Sequence, residues 1–237
     1  MKALLYKEFK LAMHPMCYIF IILFPFMILI PSYPVAVGFI YVLTIYPVLF
    51  LGANKGQQSN DLLYSTLLPI RKKDIVFARI MTVVICQFAF ILIMTALWPI
   101  SKSIQDSVVI TEEGSSNYGQ LLSSMVPGIG LDGFISLLAI ALVGFAIADL
   151  IFFPIYYKHG KSIVMSTLLT ILGFAAYLMI FTVALPYFPV IGESYKAFME
   201  GNIGIQFALL GGALLIYVPL HYLIYRISAS RLEKVDF

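Results

Sequence analysis

The sequence predicts an all-α membrane protein. It has six transmembrane helices, an N-terminal interfacial amphipathic helix, and a cytoplasmic coupling helix between helices two and three. Three observations predict this. First, 61% of the 237 residues are hydrophobic and 11% are charged, with mean hydropathy +0.97. A soluble domain carries about 25% charged residues, and so much apolar surface cannot hide in one core of this size. Second, apolar runs fall at residues 16–32, 34–53, 76–99, 132–156, 163–187 and 204–225. Each has the length of about 17–25 residues that a membrane helix needs. Third, a cytoplasmic N-terminus puts 13 of the 15 Lys and Arg residues on the cytoplasmic side, leaving only Lys102 and Lys196 outside. That asymmetry sets the orientation, with both termini cytoplasmic in the cell membrane.

The chain begins with a segment meant for the membrane surface. Within residues 1–15, Leu4, Leu5, Phe9, Ala12 and Met13 recur at helical spacing, with Lys2, Lys7 and Lys10 elsewhere on the wheel. Such a helix lies flat, its lysines toward anionic headgroups. His14-Pro15 ends it. No small-residue cleavage site follows the first apolar run, so the segment does not read as a cleavable signal. Pro31-Ser32-Tyr33-Pro34 is a tight turn between the first two spans.

The cytoplasmic segment 54–75 has its own logic. Ser59 or Asn60 caps a short helix, and Asp61 sits at its positive end. Leu62, Leu63, Leu67 and Leu68 form an apolar stripe, and Pro69 stops it. Arg71, Lys72, Lys73 and Asp74 then open the third span at headgroup level. Trp98 suits the outer interface, where an amphipathic indole prefers to sit. Residues 101–130, rich in Ser, Gly and acids, read as a partly ordered outer loop. The outer segments carry Asp106, Glu112, Glu113, Asp132, Glu193 and Glu200. Prolines 25, 47, 154 and 219 fall inside spans, where each allows a kink. No linker or repeat divides the chain, so residues 1–237 read as one membrane domain.

Several chemistries are disfavoured. No basic stripe lies on a water-soluble face, so nucleic acid is not an expected partner. Cys17 and Cys86 lie in apolar runs and read as small hydrophobes. The run GIGLDG at 128–133 lacks the strand and βαβ unit of a dinucleotide site. His159-Gly160-Lys161-Ser162 resembles the end of a phosphate loop, but Ile155 stands where that pattern requires Gly. Glu112 and Glu113 lie in a solvated loop, and His14, His159 and His221 have no metal-ligand spacing. No catalytic, cofactor or metal site is expected in this chain.

Asp149 is the one ionisable residue deep in a predicted span, and intramembrane carboxylates are functional candidates by default. It follows Gly144 and Ala148, a small-xxx-small pair that permits close helix approach. The competing reading places it near the cytoplasmic end, paired with Lys158 or Lys161.

The order of a flat N-terminal helix, two spans and then a segment of residues 60–68 followed by Leu68-Pro69-Ile70-Arg71-Lys72-Lys73-Asp74-Ile75-Val76 and Arg79 resembles the permease subunits of ABC type-2 transporters. The six-span topology extends the likeness over the whole chain. It looks most similar to small Gram-positive exporters of amphipathic peptides, such as those for cytolytic modulin peptides, and to bacteriocin-immunity permeases. Relatives often start the coupling segment with an acid; here Gln57, Gln58 and Asn60 precede Asp61.

The resemblance implies two permeases side by side, a second copy or a paralogue, each gripped by a separate cytoplasmic ATPase that binds ATP and Mg. The gripped residues would be Asn60, Asp61, Leu62, Leu63, Leu67, Leu68, Arg71, Lys72 and Lys73. It also implies an outer re-entrant segment at 186–203, and a path for an amphipathic peptide along helices one, two and five, with Tyr41, Tyr46, Phe174 and Tyr177 on it. Membrane lipid is the remaining expected partner. The expected role is therefore an exporter subunit with no enzymatic activity of its own. Self-immunity and drug or lipid efflux stay open, as does a non-transporting scaffold or sensor.

Overall fold

The computed structural model describes residues 2–12, 15–29, 70–111, 133–159, 163–185, 188, 192–193 and 202–234. The second predicted span, residues 54–69 of the coupling segment, the GIGLDG run up to residue 132 and nearly all of the 186–203 segment lie outside these. So do Tyr41, Tyr46, Asn60, Asp61, Leu62, Leu63, Leu67 and Leu68.

The described chain is helical throughout, with no strand among the described residues. α1 (Lys2–Lys7) continues in wide π turns over Glu8–Ala12. α2 (Pro15–Leu23) tightens to a 3-10 helix over Phe24–Leu29. α3 is Lys72–Thr111, α4 is Phe134–His159, α5 is Ile163–Leu178 with π turns over Met179–Ala184, and α6 is Ile203–Glu233. Among the described residues four helices are long and apolar enough to cross a membrane: Lys72–Ile104 within α3, Phe134–Lys158, Val164–Phe181 and Ile203–Glu233. They match the last four predicted spans. The first predicted span is the shorter apolar helix Cys17–Leu29.

Local chemistry explains the ends and changes of pitch. Pro15 opens α2, where a missing N–H costs nothing. Pro25 stands where α2 changes to 3-10 pitch, since its ring excludes the carbonyl four residues back. Asn202 caps α6 by accepting from the Gly204 N–H at 3.2 Å.

α3 departs from expectation. Residues 101–111, expected to open the outer loop, continue the helix. Their polarity suggested a loop, but the run contains neither Gly nor Pro, and a helix beyond the bilayer still satisfies its own backbone. Pro99 is accommodated inside the helix, and the Ser103 hydroxyl donates to the Pro99 carbonyl at 3.0 Å.

α4 is central. It packs chiefly on α6 and α5, while α2 lies along α3 and α3 crosses α6. Gly144 sets the α4–α5 distance: a Cβ there would stand 2.8 Å from the Phe174 ring and 2.9 Å from that of Tyr177. Phe145 stacks on Phe174 across the same seam at 6.3 Å, and Phe90 of α3 meets Phe145 edge-on at 6.2 Å. In lipid the driving force for such contacts is packing rather than escape from water. Leu215 and Val164, 77% and 75% exposed, are the counterpart, apolar side chains turned toward the solvent a membrane supplies.

Basic residues gather at one pole of the bundle. There the Lys73 ammonium lies 3.3 Å from Glu233, and the Arg231 guanidinium donates to the Pro154 carbonyl at 2.5 Å. At the opposite pole the Ser101 hydroxyl donates to the Ile28 carbonyl at 2.6 Å.

Candidate functional site

Two buried polar clusters stand out from the apolar bundle. The first is at mid-depth. Asp149 on α4 is wholly buried, and it lies about 15 Å from the basic end of that helix at about 1.5 Å per residue. α3 brings Gln87 to it, and its amide Nε2 donates to Asp149 Oδ2 at 2.8 Å. α6 brings Tyr217 and His221, one turn apart and therefore on one face. His221 Nε2 lies 2.9 Å from Asp149 Oδ2. The Tyr217 hydroxyl donates to Gln87 Oε1 at 2.5 Å, which closes the loop from α6 back to α3.

The hydrogen-bond pattern fixes the proton count. His221 Nδ1 lies 2.9 Å from the Tyr217 carbonyl. A carbonyl only accepts, so Nδ1 carries a proton. One further proton then lies between Nε2 and Oδ2. Whether that proton sits on the imidazole or on the carboxyl, the pair is neutral overall. A neutral, fully bonded cluster is the form that low-dielectric surroundings tolerate. Phe145, Ala148, Phe152 and Phe153 supply those surroundings, each with no exposed surface.

This places Asp149 differently from the reading that tied it to Lys158. Lys158 is exposed, nine residues further along α4, whereas Asp149 contacts α3 and α6. Lys161 lies outside the described residues. Gln87, Tyr217 and His221 were missed as site residues. Gln87 is nonetheless the only amide in the third apolar run, and Tyr217 and His221 share helical spacing.

The second cluster is at the basic pole. Arg79, one turn into the buried part of α3, donates through Nε to Glu8 Oε2 at 3.0 Å and through Nη2 to Glu8 Oε1 at 3.5 Å. Its Nη1 donates to the Tyr156 hydroxyl on α4 at 3.1 Å. Both charged side chains are almost fully buried, 5% and 3% exposed. The forked geometry suits a guanidinium and would not suit lysine. It pins the N-terminal segment to α3 and α4. Leu4 and Glu8 face inward while Lys2 and Lys10 are exposed. Glu8 was also missed, although it is the only acid in the first sixty residues.

The other expected site residues fall as follows. Arg71 and Lys72 stand at the start of α3, where the Asp74 N–H bonds the Arg71 carbonyl at 2.9 Å. Lys73 pairs with Glu233. Phe174 is core, 1% exposed, and the Tyr177 hydroxyl donates to the Ile140 carbonyl at 2.8 Å. Among the described residues no group of His, Cys, Asp and Glu could hold a metal ion. Cys17 and Cys86 are buried and unbridged. Compared with protein-family models, curated proteins and solved structures, the chain matches none of them.

Proposed function

We propose that this chain is the transmembrane subunit of an ATP-driven exporter of the ABC type-2 kind. It moves amphipathic peptides out of a Gram-positive cell, paired with a second permease and driven by a separate cytoplasmic ATPase. The basic pole is the cytoplasmic one, by the distribution of Lys and Arg. The observation that carries the reading is the exit from the coupling segment. From Lys72 the chain is one helix that crosses the bundle, and polar contacts hold that helix at two depths. Arg79 holds it to the N-terminal segment at the pole, and Gln87 holds it to α4 at mid-depth. A push on Lys72 or Lys73 would reach the middle of the bundle along one unbroken helix.

The same geometry supports the first of the six expected spans. From Arg79 to Ser101, the partners of Glu8 and Ile28, α3 rises about 33 Å at about 1.5 Å per residue. The segment ending at Ile28 therefore runs alongside α3 for about the thickness of a hydrocarbon core, roughly 30 Å. A non-transporting scaffold is the competing reading. The closed Tyr217–Gln87–Asp149–His221 network favours it, because such a network needs no moving part.

Purification of the full chain from its native membrane in mild detergent tests the proposal. The exporter reading expects a co-purifying ATPase, lost in Leu63→Asp while membrane insertion is unchanged. Retention of the same partner by Leu63→Asp would remove the coupling role, and recovery of the chain with no ATPase would sink the exporter.

A further inference from the structure

α4, α5 and α6 line a cavity of about 660 Å³, open along one side to the surroundings, in the half of the bundle away from the basic pole. Its walls are residues 136–143 of α4, Tyr177 to Leu185 on α5, and residues 205–216 of α6. Among the described residues no charged side chain lines it. The polar side chains among them, Ser136 and Tyr177, do not offer it a free polar group. Ser136 is wholly buried and engaged elsewhere, and the Tyr177 hydroxyl is spent on the Ile140 carbonyl. Gly212, on the α6 wall, has open space where a Cβ would stand.

Left without an occupant, an open recess of this size forfeits the contacts of its apolar wall atoms. Water has no partners there. The volume lies in the range of ligand pockets, about 300–1,000 Å³. Its length identifies the ligand. Along α6 the lining covers eleven residue steps, about 16 Å, close to the hydrocarbon depth of one leaflet, about 15 Å as half of the bilayer core. A peptide helix about 10–12 Å across fills roughly 420–610 Å³ with each turn, so the cavity admits little more than one turn. A hydrocarbon chain is thin, needs no polar partner and matches the depth.

We infer that this cavity is a binding site for the acyl chain of a phospholipid from the leaflet opposite the basic pole. The inference needs only a bilayer around the chain and is independent of the exporter reading.

The full chain is reconstituted in nanodiscs containing a phosphatidylglycerol with a diazirine at the end of one acyl chain. Irradiation and peptide mapping follow. We expect adducts on residues 139–143 and on Tyr177, Phe181, Leu209, Ala213 and Ile216 at least fivefold above those on Leu92, Leu172 and Leu215, which face outward from other surfaces. Ala208→Phe and Gly212→Phe should each lower the cavity adducts about fivefold. Leu215→Phe, outside the lining, should leave them unchanged. Should either filling variant fail to fold, Ala208→Leu serves in its place and should lower them at least twofold. Even labelling of all outward surfaces, or undiminished cavity labelling in the folded filling variants, overturns the site. Labelling by a diazirine fatty acid but not by the phospholipid overturns the assignment to a phospholipid.

Discussion

The two buried polar clusters solve the same problem in different ways. At the basic pole, Glu8 and Arg79 are full charges that neutralise each other through a fork of hydrogen bonds. At mid-depth, Asp149 and His221 share one proton and are flanked by neutral donors, Gln87 and Tyr217. At the pole the ion pair is almost fully buried, and it is tolerable because the forked hydrogen bonds and the Tyr156 hydroxyl engage both charges. At the centre the cost of separated charge is greater, and a cluster that keeps its net charge at zero avoids it. The polar cluster at the pole ties on a peripheral segment; the central one ties three spanning helices together.

If that distinction holds, Glu8→Ala should have the largest effect. It strands a buried guanidinium, and breaking such a pair costs about 3–5 kcal/mol. Thermal unfolding in detergent should show it. Glu8→Leu combined with Arg79→Met should recover most of the loss, since the apolar pair buries no charge. No recovery would mean that the pair holds the N-terminal segment through geometry that apolar groups cannot replace.

Asp149→Ala should rank second. It leaves the Gln87 amide and His221 Nε2 without their acceptor, at about 1–3 kcal/mol for each orphaned group. Asp149→Asn is the sharper probe. Gln87 and His221 both meet the one oxygen Oδ2, so an asparagine oxygen there keeps the Gln87 bond and loses the proton shared with His221. It should cost less than the alanine change in the same unfolding assay. Equal losses would break the shared-proton account. Normal peptide efflux by Asp149→Asn with reduced assembly would assign the carboxylate a structural role.

Tyr217→Phe removes only the hydroxyl that Gln87 accepts. Polar contacts between membrane helices average about 0.6 kcal/mol and reach about 1.7 kcal/mol; the short bond here predicts the upper part of that range. Lys73→Ala should have the smallest effect. Its pairing with Glu233 is about half exposed on both sides, and exposed pairs contribute about 0–1 kcal/mol. A loss comparable to that of Glu8→Ala would show that the pole behaves as one network rather than as a buried pair with a weak neighbour.

Parts of this arrangement were legible along the chain. The last four spans follow from apolar length alone, and their observed bounds differ from the runs by a few residues, except where α3 continues to Thr111 and α6 to Glu233. Asp149 stood out because a carboxylate in such a run is rare. Its partners did not, because Gln87 and His221 are 62 and 72 residues from it in sequence. A lone glutamine or histidine in an apolar run carries no mark of which helix it faces. Glu8 was hidden for a related reason. In a segment with three lysines, an acid reads as one more headgroup-facing charge, until the fold brings Arg79 against it.

What the sequence by itself determined is the solvent, the long helices and the asymmetry of charge. These depend on composition and on residues close together, and each membrane helix must satisfy its own backbone whatever its neighbours do. Only the tertiary structure decided which helix faces which. Gly144 lets α5 approach α4, Gln87 and His221 meet on Asp149, and the walls of the acyl-sized cavity stand apart. Those outcomes rest on the rotation and depth of each helix against the others, and apolar runs of similar composition leave both unspecified.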